Sequence, residues 1–338
     1  MPVRAAIYGC EGLALTEAER RFFREAEPWG FILFARNVST PEQVKRLTDE
    51  LCSVAGRVVP VLIDQEGGRV ARLKPPHWRA YPAGRRYGEL YARSPELGIE
   101  AARIGGRLIA SELHALGIYV DCLPVLDVPV PSAHDVIGDR AYGETPEPVI
   151  ALGRAAAQGL LGGGVLPIIK HIPGHGRAGV DSHLSLPVVD TDAATLARTD
   201  FAPFKALADM PLAMTAHVVY TAIDAAAPAT TSPTVIENII RGVIGFDGLL
   251  MSDDVSMQAL DGTLAERTRA SLKAGCDLAL HCNGKMDEMQ AVAGEVPVLA
   301  GEALRRSAAA LARLAPPEPF DESAGIARFK ALLGASWG

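Results

Sequence analysis

The sequence has little of several features, and what it lacks narrows the class of protein. Aromatic residues make up only 6% of it, and no apolar run approaches the roughly 20 residues that cross a membrane. Glu11 interrupts the apolar N-terminal stretch, so we expect neither a secretory signal peptide nor a membrane anchor. The five cysteines are scattered and form no CxxC pair, which is typical of reduced thiols in a cytosolic protein. We therefore predict a cytoplasmic location.

Charge of one sign is not concentrated anywhere along the chain. The 33 lysines and arginines and the 40 aspartates and glutamates give a net charge of −7, and the basic residues form no stripe. Nucleic-acid binding depends on clustered positive charge, so we expect no nucleic-acid partner. A mildly acidic enzyme acting on a small molecule is the ordinary interpretation.

Apolar residues, in contrast, are plentiful at 49%, enough for a sizeable core. Near-continuous apolar runs, as expected for parallel strands covered on both faces, occur at residues 5–9, 31–37, 58–64, 117–124, 165–171, 211–218, 248–254 and 276–282. Helical patterns lie between them at residues 40–56, 95–117, 146–164 and 232–245. This alternation predicts an α/β protein with a (β/α)8 barrel. We expect one domain over residues 1–338, with a helical tail over about 300–338.

Polar residues follow six of the apolar runs, at the point where each predicted strand ends. They are Asp64, Asp121, Lys170 with His171, His217, Asp253 with Asp254, and His281. The carboxyl ends of barrel strands share one face, and that face carries the active site in barrel enzymes. The six positions together therefore predict an active site.

The segment from Lys170 to Pro187, KHIPGHGRAGVDSHLSLP, concentrates three histidines, a lysine, an arginine and an aspartate. Pro173 and the glycines at 174, 176 and 179 exclude a stable helix over residues 171–180. We expect a loop that the glycines allow to move over bound substrate.

The titratable groups of this loop allow two interpretations. In the first, His171 and His175 bind zinc together with Asp181 and His183, although an HxxxH spacing favours a metal only on a helix. In the second, Asp181 and His183 face the same side of an extended segment. A carboxylate partner raises the pKa of an imidazole, which makes the pair a general acid and base near neutral pH. We favour the second interpretation and predict no metal and no cofactor.

Three further segments supply candidate ligands for a polar substrate. GLLMSDDVSM places Asp253 at a strand end, where its carboxylate suits a nucleophile, a metal ligand or a hydrogen-bond acceptor. DQEGGRVARL supplies Asp64, whose carboxylate suits two sugar hydroxyls, and its two glycines permit a tight turn. Arg69 and Arg72 of this segment, and Arg140 of IGDRAYG, suit an anionic or carbonyl group of the substrate.

Two other classes of protein stay open on the residues alone. Lys170 at a strand end could form a Schiff base in an aldolase-like barrel, since desolvation would lower its pKa. A sugar-binding barrel without catalysis would need Asp64 and the arginines but not the pair of Asp181 and His183.

The segments together resemble glycoside hydrolase family 3, and within it the single-domain β-N-acetylglucosaminidases of bacterial peptidoglycan recycling. The matching strings are FILFARN, DQEGGRVARL, VIGDRAYG, KHIPGHGRAGVDSHLSLP, MTAHVVY and GFDGLLMSDDVSM, in order through about residues 30–257. Ile172 stands where the family usually has Phe, an apolar exchange that we expect to be tolerated. We expect no counterpart of the second domain found in the family's β-glucosidases, and we therefore expect the acid/base group to come from a barrel loop.

The resemblance implies roles for matching positions. It implies that Asp253 is the catalytic nucleophile and that His183 is the acid/base residue, with Asp181 as its partner. The sugar-binding positions that it implies are Asp64, Arg72, Arg140, Lys170 and His171.

The resemblance also implies a substrate, namely β-linked N-acetylglucosamine (GlcNAc) on 1,6-anhydro-N-acetylmuramic acid (anhydro-MurNAc) or its peptide derivatives. The same residues leave two alternatives within the family, a β-glucosidase and a phosphorylase. A histidine is neutral when it acts as a base, so it repels an incoming phosphate less than a carboxylate would.

Overall fold

A closed barrel of eight parallel strands forms the centre of the computed structural model, which describes residues 2–182 and 185–334. Each strand pairs with its neighbours in chain order, and the last pairs with the first. The strands are β1 (Arg4–Gly9), β2 (Pro28–Leu33), β3 (Val61–Ile63), β4 (Val120–Asp121), β5 (Leu166–Ile172), β6 (Leu212–Thr215), β7 (Leu249–Asp254) and β8 (Leu278–His281). The predicted (β/α)8 barrel is confirmed, because each strand falls on one of the eight apolar runs.

One strand boundary differs clearly from the prediction. β2 begins at Pro28 and ends at Leu33, whereas the apolar run suggested residues 31–37. The last part of that run, Ala35–Asn37, forms a 3-10 turn instead. The side chain of Asn37 explains the turn, since its Oδ1 accepts a hydrogen bond from the backbone N–H of Phe34 at 2.9 Å.

Helices surround the barrel on the outside. They are α1 (Glu17–Ala26), α2 (Pro41–Ala55), α3 (Gly84–Arg93), α4 (Pro95–Ala115), α5 (Pro146–Gly162), α6 (Ala193–Arg198), α7 (Ala202–Ala206), a π-type helix (Val235–Val243), α8 (Leu264–Ala274), α9 (Met286–Ala293), α10 (Gly301–Leu311) and α11 (Glu322–Leu333). No helix in the described ranges is long and apolar enough to cross a membrane.

Local sequence explains where the helices begin and end. The side chain of Thr40 accepts a hydrogen bond from the backbone N–H of Gln43, and Pro41 occupies the first helical position of α2. Gly56 ends the same helix with a positive φ of 66°, which glycine adopts at little cost. Ser94 and Pro95 repeat the N-terminal signal at α4.

Alternate residues along each strand pack into two separate cores. One set fills the barrel, with side chains such as Ile7, Leu62, Ile168 and Met251 in mutual contact. The other set faces the helices. This alternation decides which strand-end residues face into the barrel mouth, because successive side chains of a strand point to opposite faces.

The C-terminal helices pack against the barrel and its outer helices. The indole N–H of Trp29 in β2 donates to Oγ of Ser307 in α10 at 2.7 Å, inside the protein. Phe329 of α11 lies against Tyr87 of α3, with ring centroids 6.1 Å apart. The helices predicted for the tail are therefore present at 301–311 and 322–333.

Candidate active site

A pocket of about 160 Å³ opens at the carboxyl ends of the barrel strands. Its walls combine apolar side chains with acidic, basic and imidazole groups. The charged and imidazole members are Asp64, Glu66, Arg72, Arg140, Lys170, His171, His175, Asp253 and Asp254. This is the face on which barrel enzymes carry their active sites.

Strand periodicity places three of the predicted residues in this pocket. Asp64 follows Leu62, Lys170 follows Ile168 and Asp253 follows Met251, each two residues further along the chain. Leu62, Ile168 and Met251 all pack inside the barrel. The next residue on the same face of each strand therefore points into the barrel mouth.

A chain of alternating charges runs across the pocket floor. The ammonium group of Lys170 lies 2.9 Å from Oδ1 of Asp64 and 2.6 Å from Oε1 of Glu66. The guanidinium of Arg72 donates to the other oxygen of Asp64 at 2.9 Å. Arg140 donates to both oxygens of Glu66 at 2.8 Å each, the bidentate geometry of a strong pair.

The electrostatics of this network fix the protonation state of its members. Burial opposes ionisation, but Arg140 and Lys170 outweigh it and lower the pKa of Glu66 to about 2. For Lys170 burial also opposes the charge, yet Asp64 and Glu66 dominate and raise its pKa above the usual range. The expectation that desolvation lowers the pKa of Lys170 is therefore wrong. A lysine held as an ammonium ion is a poor Schiff-base nucleophile.

The hairpin after β3 brings Glu66 and Arg72 to the pocket. Gln65–Gly67 pairs antiparallel with Val70–Ala71, and the expected tight turn between them is present. Gly67 and Gly68 both have positive φ, 95° and 56°, which other residues rarely adopt.

His171 is held from behind by Asp127, a residue that the sequence reasoning missed. Nδ1 of His171 lies 2.7 Å from Oδ2 of Asp127. The other oxygen of Asp127 accepts hydrogen bonds from the backbone N–H groups of His171 at 3.2 Å and His175 at 2.6 Å. One buried carboxylate thus fastens both ends of the turn over residues 171–175.

The zinc hypothesis gains no support from the described residues. His171 turns Nδ1 to Asp127, and His175 places Nε2 3.1 Å from the hydroxyl of Ser182. Within residues 2–182 and 185–334, no group of three or more His, Cys, Asp or Glu side chains is arranged to hold a metal ion. His183, the fourth ligand of that hypothesis, lies outside the described residues.

The two carboxylates of the SDD string have different surroundings. Oδ1 of Asp253 accepts a hydrogen bond from the backbone N–H of Asp254 at 2.8 Å, and the backbone N–H of Asp253 donates to Oγ1 of Thr215 at 3.2 Å. The Asp254 carboxylate accepts hydrogen bonds from the backbone N–H and hydroxyl of Ser256, at 3.0 and 2.7 Å, and from the backbone N–H of Cys282 at 3.3 Å. Through these bonds the Asp254 carboxylate holds the loop after β7 in its conformation.

Several predicted strand-end residues do not reach the pocket. Asp121 is buried and accepts a hydrogen bond from the backbone N–H of Gln65, and burial raises its pKa. His217 lies 2.7 Å from the hydroxyl of Thr230, and His281 lies 3.2 Å from Glu288. Asp121 and His281 lie on the opposite face of their strands from Asp64 and Lys170, so they point away from the barrel mouth.

Arg69 also serves a structural role. Its guanidinium donates to the carboxylate of Asp139 at 2.8 Å and to the carbonyl oxygen of Asp135 at 2.6 Å. It thereby fastens the loop that carries Arg140, and it does not line the pocket.

The first half of the loop after β5 is closely packed. A Cβ at Gly176 would overlap the carbonyl oxygen of Val128, whereas a Cβ at Gly179 would meet nothing within 4 Å. The chain therefore has no free space for a side chain at Gly176 but does at Gly179. Asp181 lies just beyond it and is partly exposed, and its predicted partner, His183, falls outside the described residues.

Two functional candidates, Glu66 and Asp127, escaped the sequence reasoning. Glu66 stands two residues after Asp64 in DQEGG, so the same-side rule for residues i and i+2 could have found it. Asp127 follows β4 in the string PVLDV. Since it lies outside any regular strand, no periodic pattern marks it.

Barrel enzymes carry their active sites at this face, and carboxylates in such a cleft are the groups with which glycoside hydrolases act. The chain belongs to one family of these enzymes: residues 13–314 match the model of the glycosyl hydrolase family 3 N terminal domain. The class of enzyme expected from the sequence is thereby confirmed.

Individual relatives agree with this assignment. The chain is 41% identical over 277 residues to a protein named Beta-hexosaminidase from Thioalkalivibrio sulfidiphilus, covering 81% of this chain and 79% of that protein. Its fold matches NagZ from Neisseria gonorrhoeae with a TM-score of 0.86, 32% identity and coverage of 98% and 96% of the two chains. A family 3 β-N-acetylglucosaminidase from Paenibacillus matches with a TM-score of 0.87 and 30% identity, over 97% of this chain and 66% of that chain.

The burial of His175 predicts a loss of stability in acid. Burial, reinforced by the nearby His171, lowers the pKa of His175 from 6.5 to about 4. Its contribution to the free energy of unfolding is therefore complete above about pH 6.5 and is lost as the pH falls through 4. The shift corresponds to about 3 kcal/mol. We expect His175→Asn to have a shallower fall in unfolding free energy between pH 7 and pH 4, measured by urea denaturation.

The exposed His77 provides the control for this prediction. His77→Asn makes the same exchange at an exposed position, so it measures the effect of the substitution without the loss of a buried ring. An equal slope in His175→Asn and the wild type would contradict the assignment of a buried neutral ring.

Proposed function

We propose that the protein is a retaining exo-β-N-acetylglucosaminidase that removes terminal β-linked GlcNAc. The observation that carries this proposal is the Asp253 carboxylate at the end of β7, in the same pocket as the charge network of Asp64, Lys170 and Glu66. The names of curated relatives, at 37–41% identity, support the hexosaminidase activity. A further structure of the gonococcal NagZ is a complex with N-trifluoroacetyl-D-glucosamine, which supports an acetamido sugar as the ligand.

The network is suited to binding sugar hydroxyls without rearrangement. Asp64 is held by Lys170 on one oxygen and by Arg72 on the other, so its remaining lone pairs have fixed directions. A carboxylate fixed in this way accepts hydrogen bonds from two hydroxyls at little entropic cost. We assign Asp64, Arg72, Arg140, Lys170 and His171 to binding of the non-reducing sugar.

The proposed reaction has two steps. Asp253 attacks the anomeric carbon and forms a glycosyl ester, while His183 gives a proton to the departing oxygen. His183 then takes a proton from water, which attacks the same carbon and releases Asp253. Each step inverts the anomeric centre, so the product retains the β-configuration. Asp181 is the proposed partner that orients His183.

We infer that the natural substrates are GlcNAc–anhydro-MurNAc muropeptides, which are degraded in the cytoplasm during peptidoglycan recycling. This inference rests on the resemblance of the KHIPGHGRAGVDSHLSLP string to enzymes of that process. Apolar side chains at the pocket wall, including Phe34, Val70 and Met257, are compatible with the faces of a sugar ring.

Water is favoured over phosphate as the acceptor by the pairing of the pocket cations. Lys170, Arg72 and Arg140 each contact a carboxylate of the network. In the described part of the pocket, a phosphate ion would have to compete with Asp64 or Glu66 for every one of these cations. We therefore propose hydrolysis and keep phosphorolysis as an outcome of the test.

The first test measures release of nitrophenol from 4-nitrophenyl N-acetyl-β-glucosaminide, with the β-glucoside as control and phosphate omitted or added. We expect turnover of the acetamido sugar alone and no effect of phosphate. Formation of a sugar phosphate would identify a phosphorylase. Equal turnover of the β-glucoside would show that the acetamido group does not determine specificity. No turnover of either glycoside would contradict the mechanism.

The second test concerns the nucleophile. Asp253→Ala should lower kcat by at least about 10⁴-fold, as expected when a covalent catalyst is removed. Asp254→Asn should keep most of the turnover, because an amide oxygen still accepts part of the hydrogen bonding from Ser256 and Cys282. Circular dichroism should show both variants folded. Near-normal rates in the first variant with loss in the second would move the nucleophile to Asp254.

The third test concerns the acid/base residue. His183→Ala should reduce kcat/KM most for aryl glycosides with poor leaving groups, since activated leaving groups need little protonation. A steeper dependence of log kcat/KM on leaving-group pKa than in the wild type is the expected result. Equal losses across the series would contradict the assignment of His183 as the acid.

A further inference from the structure

Asp127 is a buried carboxylate directly behind the sugar pocket, with an exposed fraction of 0%. It belongs to the segment that follows β4 and runs beside β5. The backbone N–H of Leu126 donates to the carbonyl oxygen of Lys170 at 2.7 Å, which fixes this segment to the strand that carries the sugar-pocket residues. Asp127 does not itself line the pocket.

The two oxygens of Asp127 have different tasks. Oδ1 accepts the backbone N–H groups of His171 and His175, at 3.2 and 2.6 Å. Oδ2 lies 2.7 Å from Nδ1 of His171. Backbone anchoring and control of the imidazole ring are thus separated onto different atoms of one side chain.

The protonation state of Asp127 determines the tautomer of the ring. Burial opposes its ionisation, but the His171 ring and the N–H donors outweigh burial and lower the pKa of Asp127 to about 2. An ionised carboxylate accepts hydrogen bonds only, so Nδ1 of His171 must carry the hydrogen. Nε2 is then the ring nitrogen left for a ligand in the pocket that His171 lines.

We propose that Asp127 is a positioning residue that sets the tautomer and orientation of His171, and through them the binding of the sugar. This inference rests on the proposed function for its effect on catalysis, but the tautomer can be tested without substrate. Carboxylates play the same part behind metal-bound histidines, where their loss costs about 10- to 100-fold in activity or affinity.

Asp127→Asn separates the two tasks of the carboxylate. An Asn oxygen can still accept the backbone N–H groups of His171 and His175. Its NH₂ group then faces Nδ1 of His171, and two donors cannot share one hydrogen bond. The ring must therefore carry its hydrogen on Nε2, which turns the pocket nitrogen from an acceptor into a donor.

The first measurement is the ¹⁵N NMR spectrum of histidine-labelled protein near pH 8, with His171→Gln used to assign the His171 ring signals. We expect Nδ1–H in the wild type and Nε2–H in Asp127→Asn. The same tautomer in both proteins would overturn the proposal, whether or not the protein is an enzyme.

The second measurement is a double-mutant cycle on kcat/KM for 4-nitrophenyl N-acetyl-β-glucosaminide and on the Kd of N-acetylglucosamine. Asp127→Asn alone should lower kcat/KM and weaken N-acetylglucosamine binding by about 10- to 100-fold. In the His171→Gln background, adding Asp127→Asn should change kcat/KM and the Kd by less than about a further threefold, because the effects of two residues that act through one contact are not additive. Equal losses in both backgrounds would show that Asp127 acts structurally and would overturn the proposal.

Asp200→Asn is the matched control for loop anchoring. Asp200 is also a buried carboxylate and binds the same loop, through Arg177 at 2.7 Å. Its carboxylate accepts hydrogen bonds from Arg177 and Thr199 and not from the ring of His171, so its effect should add to that of His171→Gln. A wild type that neither binds nor hydrolyses the acetamido sugar would contradict the proposed function, while the tautomer comparison would still decide the role of Asp127.

Discussion

The buried ammonium group of Lys170 is the constraint on which the pocket depends. An unpaired charge inside a protein costs several kcal/mol, so Lys170 requires the two carboxylates that lie 2.9 and 2.6 Å from it. Glu66 is buried and Asp64 largely so, and Arg140 and Arg72 pair with their outer oxygens. Removing either carboxylate would leave the buried ammonium group with too little negative charge beside it, at a cost of about 3–5 kcal/mol. The network therefore keeps the pocket polar and its hydrogen-bonding groups in fixed directions.

The network also explains why the loops around the pocket have their conformations. Arg72 returns to Asp64 because Gly67 and Gly68 turn the chain sharply after β3. Arg140 reaches Glu66 because Arg69 holds the preceding loop by carbonyl and carboxylate contacts. The sequence suggested Arg69 as a substrate ligand. Its contacts show instead that it holds the loop that positions Arg140.

Much of the fold and part of the site could be predicted from the sequence, for physical reasons. A strand buried on both faces needs a continuous apolar run, and all eight runs became strands. Asp64, Lys170 and Asp253 lie on the face of their strands that points into the barrel mouth, whereas Asp121 and His281 lie on the opposite face. The apolar runs alone did not reveal which face each residue occupies. Glu66 stands two residues after Asp64 and could have been found by the same-side rule. Asp127 lies in an irregular segment, and its position depends on contacts between distant parts of the chain, which no local pattern encodes.

The first half of the loop after β5 is held in place by several contacts. Asp127 holds the backbone at His171 and His175, Arg177 is bound to Asp200, and Gly176 lies against the backbone of Val128. The sugar recognition that we propose for His171 needs this rigidity, because hydrogen bonds to hydroxyls are directional. The described end of the loop returns to the same anchor, because the hydroxyl of Ser182 lies 3.1 Å from Nε2 of His175 and Asp127 holds the backbone of His175. Asp127 therefore connects the ring of His171, to which we assign sugar binding, with the segment next to Asp181.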